Sequence, residues 1–243
     1  MTSLGAETIF TIGGFRAPNT LLATLLVDLI LLLLVVSVRR RIALVPGRFL
    51  QVVESVVDYL KTTVDQVAGA RSGMIFPWVA VFFIYILVNN LMGLFPGFGS
   101  VGFFRAGEDG QQHLVPILRA ATSDLNTTLA LAIVSVFATH ILAIRTTGIV
   151  VYLKRFFALN PIFLFVGLLE IVQELTKFIS FSFRLFGNIS GGEIVLGTVA
   201  RMFAFILPVP FLALEILVGV VQAAVFALLT MAFMAILTEP SHH

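Results

Sequence analysis

Residues 21–38 read LLATLLVDLILLLLVVSV, an apolar run broken only by Thr24, Asp28 and Ser37. At ~1.5 Å per residue, a helix of this length crosses a hydrocarbon core of ~30 Å. Arg39, Arg40 and Arg41 follow directly. Basic residues collect on cytoplasmic loops, so this order puts the arginines in the cytoplasm and the N-terminal end outside. No small-residue cleavage pattern follows the run, and it reads as a retained anchor rather than a signal peptide. Asp28, inside the run, is expected to be a packed or snorkelling residue rather than an ion ligand.

The whole chain agrees with that opening. Of 243 residues, 59% are hydrophobic and 12% charged, with a formal net charge of +2. Mean hydropathy is +1.07. A soluble domain of this size needs far more charge to cover its surface, so the class is a multi-pass membrane protein. Its basic residues form no patch interleaved with aromatics, which argues against nucleic acid. The absence of cysteine excludes a disulfide framework, a thiolate metal site and a cysteine nucleophile. His113 and His140 lie far from each other in sequence and from any acid pair at ligand spacing. Neither a metal centre, a cofactor nor a hydrolase is therefore expected.

Working outward from the first run, residues 46–69 change pattern. Phe49, Val52, Val53, Val56, Val57, Leu60, Val64 and Val67 recur at three and four, with Glu54, Asp58, Lys61 and Asp65 between them. This predicts an amphipathic helix, opened by Pro46 and closed by Gly69; a soluble connecting helix would share the pattern, but the long spans on both sides favour one lying on the cytoplasmic interface. A second span is expected over 74–95, with Asn89 and Asn90 holding a neighbouring helix. Pro96 to Ala121 reads as an external loop. A third span follows over 124–144, capped by one of Thr122, Ser123 and Asp124. Arg145, Lys154 and Arg155 then mark a second return to the cytoplasm.

From 161 to 207 no proline interrupts 46 residues after Pro161. As one helix these would reach ~70 Å, so the segment must tilt steeply, bend or begin outside the membrane. Pro208, Val209 and Pro210 are expected to make a turn, with a returning helix over 210–238. The predicted fold is thus all-α, in a single membrane domain over 1–243. It has about five membrane-crossing helices and one interfacial helix, the last two crossings forming a long tilted hairpin. No internal repeat is evident, which argues against a transporter built on paired repeats.

Charges recur where the chain should be most apolar: Glu170, Glu174, Lys177, Arg184, Glu193, Arg201 and Glu215. A charge at mid-bilayer costs at least ~2.5–3.5 kcal/mol on insertion scales. Glu174 and Lys177 are also compatible with the solvated start of a long helix. Arg184 is not, being enclosed by Phe178 to Phe183 and Leu185 to Gly187. A guanidinium is a fixed positive charge, suited to holding a nearby carboxyl in its ionised form rather than to relaying protons. At ~100° per residue, Gln173, Lys177, Arg184, Asn188 and Gly191 share one stripe, and Glu193 falls about 180° from Arg184. Glu215 and Gln222, seven apart, share a face. Gly187 and Gly191, with Ser190 and Gly192, keep the arginine's surroundings small, for close helix approach or for plain packing.

The run Ser182-Phe183-Arg184-Leu185-Phe186-Gly187-Asn188, followed by Gly191-Gly192-Glu193, resembles the signature of subunit a of F-type ATP synthases. The stretches 222–230 and 122–130 resemble the same family. The resemblance implies a stator beside a rotating c ring, with peripheral-stalk b subunits and the rest of the complex as partners. It further implies two offset half-channels that carry ions, protons by default, to and from the ring carboxyls. Arg184 corresponds to the arginine that separates the half-channels. Glu193 and Glu215 correspond to the external relay, Glu170 to a cytoplasmic carboxylate, and Asn188 and Gln222 to polar partners near the arginine. Relatives often place a histidine at one relay position, where this chain has two acids that would titrate as a coupled pair. The subunit would be non-catalytic and sit in a bacterial plasma membrane, or alternatively a thylakoid. A secondary transporter is the rival reading, and it predicts a mid-membrane pocket and activity without a ring. A membrane hydrolase is the weaker one.

Overall fold

Among the described residues of a computed structural model (8–12, 15–40, 47–99, 101–106, 112–156, 161–202 and 206–239), seven α-helices carry the chain. They are α1 Asn19–Arg40, α2 Arg48–Ala68, α3 Ser72–Gly93, α4 Leu125–Thr147, α5 Ile149–Phe156, α6 Pro161–Met202 and α7 Pro208–Thr238. The architecture is that of an all-α membrane protein. Among the described residues, four stretches are long and apolar enough to cross a membrane: Asn19–Arg40, Arg48–Gly93, Leu125–Thr147 and Pro208–Thr238. The 42-residue α6 is not among them. Its ionisable and amide side chains dilute an otherwise apolar sequence.

Short strands decorate the helices. β1 Thr8–Ile12 pairs antiparallel with β2 Phe15–Pro18. In the loop after α3, β3 Pro96–Gly99 precedes an antiparallel hairpin of β4 Gly102–Ala106 and β5 Gln112–Pro116. Helical periodicity gives no sign of these hairpins, and the sequence reading left both regions without strands. Gly102 is needed in the second one, because a Cβ there would strike the Val115 carbonyl.

Several local expectations change. Pro208 and Pro210 stand in the first turn of α7 rather than forming the turn before it. The first backbone N–H groups of a helix have no intrahelical partner, so proline is tolerated there. Pro77, by contrast, lies inside α3. Gly69 caps α2 at φ 52° and donates to the Asp65 carbonyl, leading through a 3-10 turn at Gly69–Arg71 straight into α3. Pro46 and Arg41 lie outside the described residues, as do part of the expected 161–207 segment and the tail beyond Glu239. Asp124 is the residue that caps α4: its Oδ1 accepts from the Asn126 N–H at 3.0 Å. Of the two asparagines, Asn90 reaches another helix, donating to the Gly219 carbonyl at 3.0 Å, whereas Asn89 bonds Tyr85 on its own helix. Asp28 is exposed on α1 rather than packed.

The chain divides into two compact units. Unit 1 comprises Met1–Val45, Ile84–Thr128 and Leu185–Ala223; unit 2 comprises Pro46–Phe83, Leu129–Arg184 and Ala224–His243. The centre of unit 2 is apolar: Val64 of α2, Ile75 and Val79 of α3, Ala138 and Leu142 of α4, and Met231 and Met234 of α7 pack together. Beside them Phe82, Phe226, Phe181 and Phe233 form a chain of rings at centroid distances of 5.5, 4.9 and 5.9 Å. Such contacts add about 0.5–1.5 kcal/mol each beyond burial, and Phe181 anchors α6 one turn before Arg184. Only part of the apolar stripe of α2 faces inward. Leu60 and Val64 are buried, while Phe49, Val52, Val56 and Val67 are exposed.

Candidate functional site

Unit 1 gathers polar groups from four segments. Thr20 of α1 donates to Asp124 Oδ2 at 2.9 Å, so the residue that caps α4 also ties down α1. Ser190 of α6 donates to the Ser123 carbonyl at 3.2 Å. Glu193, one turn further along α6, is held by Arg119, which lies between β5 and α4. The Arg119 Nη2 and Nε both approach Glu193 Oε2, at 3.3 and 3.4 Å. The Ser123 hydroxyl is a further neighbour of that carboxylate.

Glu215 of α7 is buried. It fits there because residue 192 on α6 is glycine: a Cβ at that position would collide with the Glu215 carboxylate. The charges of Glu193 and Glu215 are close enough to interact. The structure therefore brings these two sequence-predicted acids together and adds Arg119, which the sequence reading had passed over in a charged loop. Its signal was faint: an arginine five residues before a cap, with a partner 74 positions away. Asn188 and Gln222 also meet, the Asn188 amide donating to Gln222 Oε1 at 2.6 Å. Gln222 Nε2 is buried and has no hydrogen-bond partner among the described residues.

The middle segment of unit 2 ends on Arg184. Phe181, Ser182 and Leu185 of α6 are buried, whereas Phe183, Arg184, Gly187 and Asn188 are exposed. The sequence reading placed this arginine in the apolar interior; the structure puts it on the surface of the chain. Its Nη2 donates to Ser180 Oγ at 3.2 Å, and among the described residues no carboxylate pairs with it. A Cβ built on Gly187 or Gly191 would meet nothing within 4 Å.

Further back on α6, Glu174 and Lys177 pair at 2.6 Å and are largely shielded, not solvated. Glu170 is half-buried on the same helix. No cluster of three or more metal-type ligands occurs among the described residues.

The sequence profile of the family described as "ATP synthase A chain" matches residues 20–235. The chain is 31% identical to "ATP synthase subunit a" of Moorella thermoacetica, with 97% of each chain covered. It is 34% identical to "ATP synthase subunit a 3" of Pelobacter propionicus, over 90% of this chain and 87% of that one. A further relative, from Propionigenium modestum, is "ATP synthase subunit a, sodium ion specific", 30% identical over 90% of this chain and 74% of its own length.

Proposed function

The chain belongs to the ATP synthase A chain family, and from that premise we propose that it carries protons past a rotating c ring through two offset half-channels. It is an integral membrane protein with a part in ion translocation within an ATP synthase. In the proposed mechanism Arg184 stands between the half-channels. A protonated ring carboxyl moving toward it gives up its proton on one side, because opposite charge favours the ionised form. Once past, the carboxylate is reprotonated from the other half-channel. The arginine stays charged throughout and moves no proton itself.

The observation that carries this reading is the exposed guanidinium. Facing lipid, such a charge costs at least ~2.5–3.5 kcal/mol and needs water or a counter-charge. This chain supplies Arg184 with a hydroxyl and no carboxylate among the described residues. A partner bearing carboxyl groups would provide the missing charge, and the open space at Gly187 and Gly191 suits its close approach.

Glu193 and Glu215 serve the external half-channel in this reading, and Glu170 the cytoplasmic one. Asn188 and Gln222 hold a polar contact one turn along α6 from the arginine. The basic ends of α1 (Arg39, Arg40) and α4 (Arg145) support a cytoplasmic location for those ends. The N-terminal end is then outside and the C-terminal end inside, with α2 on the interface and α6–α7 as a tilted hairpin. The c ring and b subunits are the direct partners, and a bacterial plasma membrane is the setting. The chain makes and breaks no bond of ATP.

Arg184→Ala in the intact complex tests the assignment. ATP-driven ion pumping and ATP synthesis should be lost, while hydrolysis by the detached catalytic head is unchanged. Normal coupled pumping by this variant sinks the role. Sodium is the competing ion, given the sodium-specific relative. Pumping that requires added sodium and survives a protonophore would replace protons with it.

A further inference from the structure

Unit 2 also contains a chain of titratable side chains linking α4, α5 and α6. His140 of α4 is flanked on both ring nitrogens. Its Nδ1 lies 2.7 Å from the Tyr152 hydroxyl of α5. Its Nε2 lies 3.5 Å from Glu174 Oε2 of α6. The other oxygen of Glu174 accepts from Lys177 Nζ at 2.6 Å, and that ammonium sits 3.9 Å above the Phe233 ring of α7. The His140, Glu174 and Lys177 side chains are 22%, 13% and 15% exposed, so the group is screened from bulk solvent yet reachable.

We propose that His140, Tyr152 and Glu174 form a proton-transfer station on the stretch of α6 that precedes Arg184. The proposal rests on the ion-translocation reading and adds residues to its Glu170 side. An imidazole takes a proton on one nitrogen and releases another from the opposite nitrogen, so charge crosses the ring without the ring moving. Glu174 Oε2 faces one nitrogen, and a hydroxyl that can accept and pass on a proton faces the other. Lys177 is a positioning residue: by holding Oε1 it turns Oε2 toward the histidine. No bond other than those to the travelling proton forms or breaks.

The plainer account is an ion pair that pins α5 in place. α5 is already pinned without it. A Cβ on Gly167 of α6 would run into the Phe156 carbonyl at the end of α5, so the two backbones touch there. Docking α5 does not require a titratable group with a proton partner on each nitrogen.

The test uses the complete ATP synthase in membrane vesicles, with ATP-driven proton uptake as the readout and the amount of this chain in the purified complex as the assembly control. In His140→Ala, uptake should fall by about tenfold, less than the ~100-fold of a sole proton-transfer group because Glu174 remains. Added imidazole should restore it, which a structural defect would not permit. Imidazole should leave Arg184→Ala inactive. An assembled His140→Ala complex that pumps normally, or whose loss imidazole does not repair, overturns the station. Should His140→Ala not assemble, His140→Gln decides, since its amide can bond both neighbours but relay nothing; normal uptake overturns the proposal and reduced uptake supports it. Loss of pumping in Arg184→Ala with unaffected His140 variants removes the station alone. Normal pumping in Arg184→Ala removes the reading on which it rests.

Discussion

Both units carry carboxylates on α6, and they hold them in different ways. In unit 1, Glu193 is gripped by a guanidinium from outside the helix, two nitrogens on a single oxygen, with a second acid close by. In unit 2, Glu174 takes its cation from its own helix three residues away and offers the other oxygen to a histidine. An arginine in a planar, always-charged fork fixes geometry, whereas lysine on a flexible stem and an imidazole with two ring nitrogens permit exchange. The same helix therefore carries one acid that is clamped and one that is poised.

The strongest way to break this contrast is to remove the cation from each acid. Arg119→Leu leaves Glu193 and Glu215 near each other without their guanidinium. Stripping one partner from this partly buried pair leaves a half-shielded charge and is destabilising by roughly 1–3 kcal/mol. The variant chain should be depleted from assembled complexes and melt earlier in detergent. Lys177→Met should be milder, because His140 still faces Glu174. Equal losses in the two variants would erase the distinction.

Backbone contact provides the next test. Gly167→Ala in unit 2 drives a methyl group into the Phe156 carbonyl, which cannot swing aside as a side chain does. A penalty of roughly 1–3 kcal/mol follows from such overpacking. It should displace α5 and, with it, Tyr152, so proton uptake and thermal stability fall together. A smaller loss is expected for Asp124→Ala in unit 1, about 1 kcal/mol for the missing cap. Asp124→Asn, which can still cap the helix, should recover most of it in a thermal melt. No recovery would move the role of Asp124 from capping α4 to its contact with Thr20.

These variants also mark what the sequence makes readable. Charge in an apolar segment is a local contrast, so Arg184, Glu193 and Glu215 stand out from their neighbours alone. Helices α1, α3 and α4 are legible for the same reason, since twenty apolar residues in a row have few other uses. Partnership is not local. Arg119 meets Glu193 from 74 positions away, and His140 meets an acid on another helix, so no spacing rule finds either. Ligand spacing along one segment says nothing of His140, whose neighbours come from α5 and α6. Exposure is equally hidden. Apolar flanks made Arg184 look buried, although in this chain those flanks are partly surface: Phe183 is 54% exposed.

The smallest expected effect on stability separates the two kinds of glycine around the arginine. Gly192→Ala meets the carboxylate of Glu215, the mobile end of a side chain, so the fold survives while that carboxylate must move. Gly187→Ala meets nothing within 4 Å. In the isolated chain Gly187→Ala should melt within about 0.5 kcal/mol of the parent, as changes away from packed contacts do, and Gly192→Ala somewhat below it. In the complete complex they should part. Gly192→Ala should assemble normally and slow ion uptake through the shifted Glu215, and Glu215→Asp, one methylene shorter, should partly relieve it. Gly187→Ala should impair the interaction with the ring, read as a lower yield of chain bound to c ring at equal expression. If Gly187→Ala binds and pumps as the parent does, the open space beside Arg184 is not a docking surface. If Gly192→Ala pumps normally, Glu215 tolerates displacement and the external relay does not depend on its position.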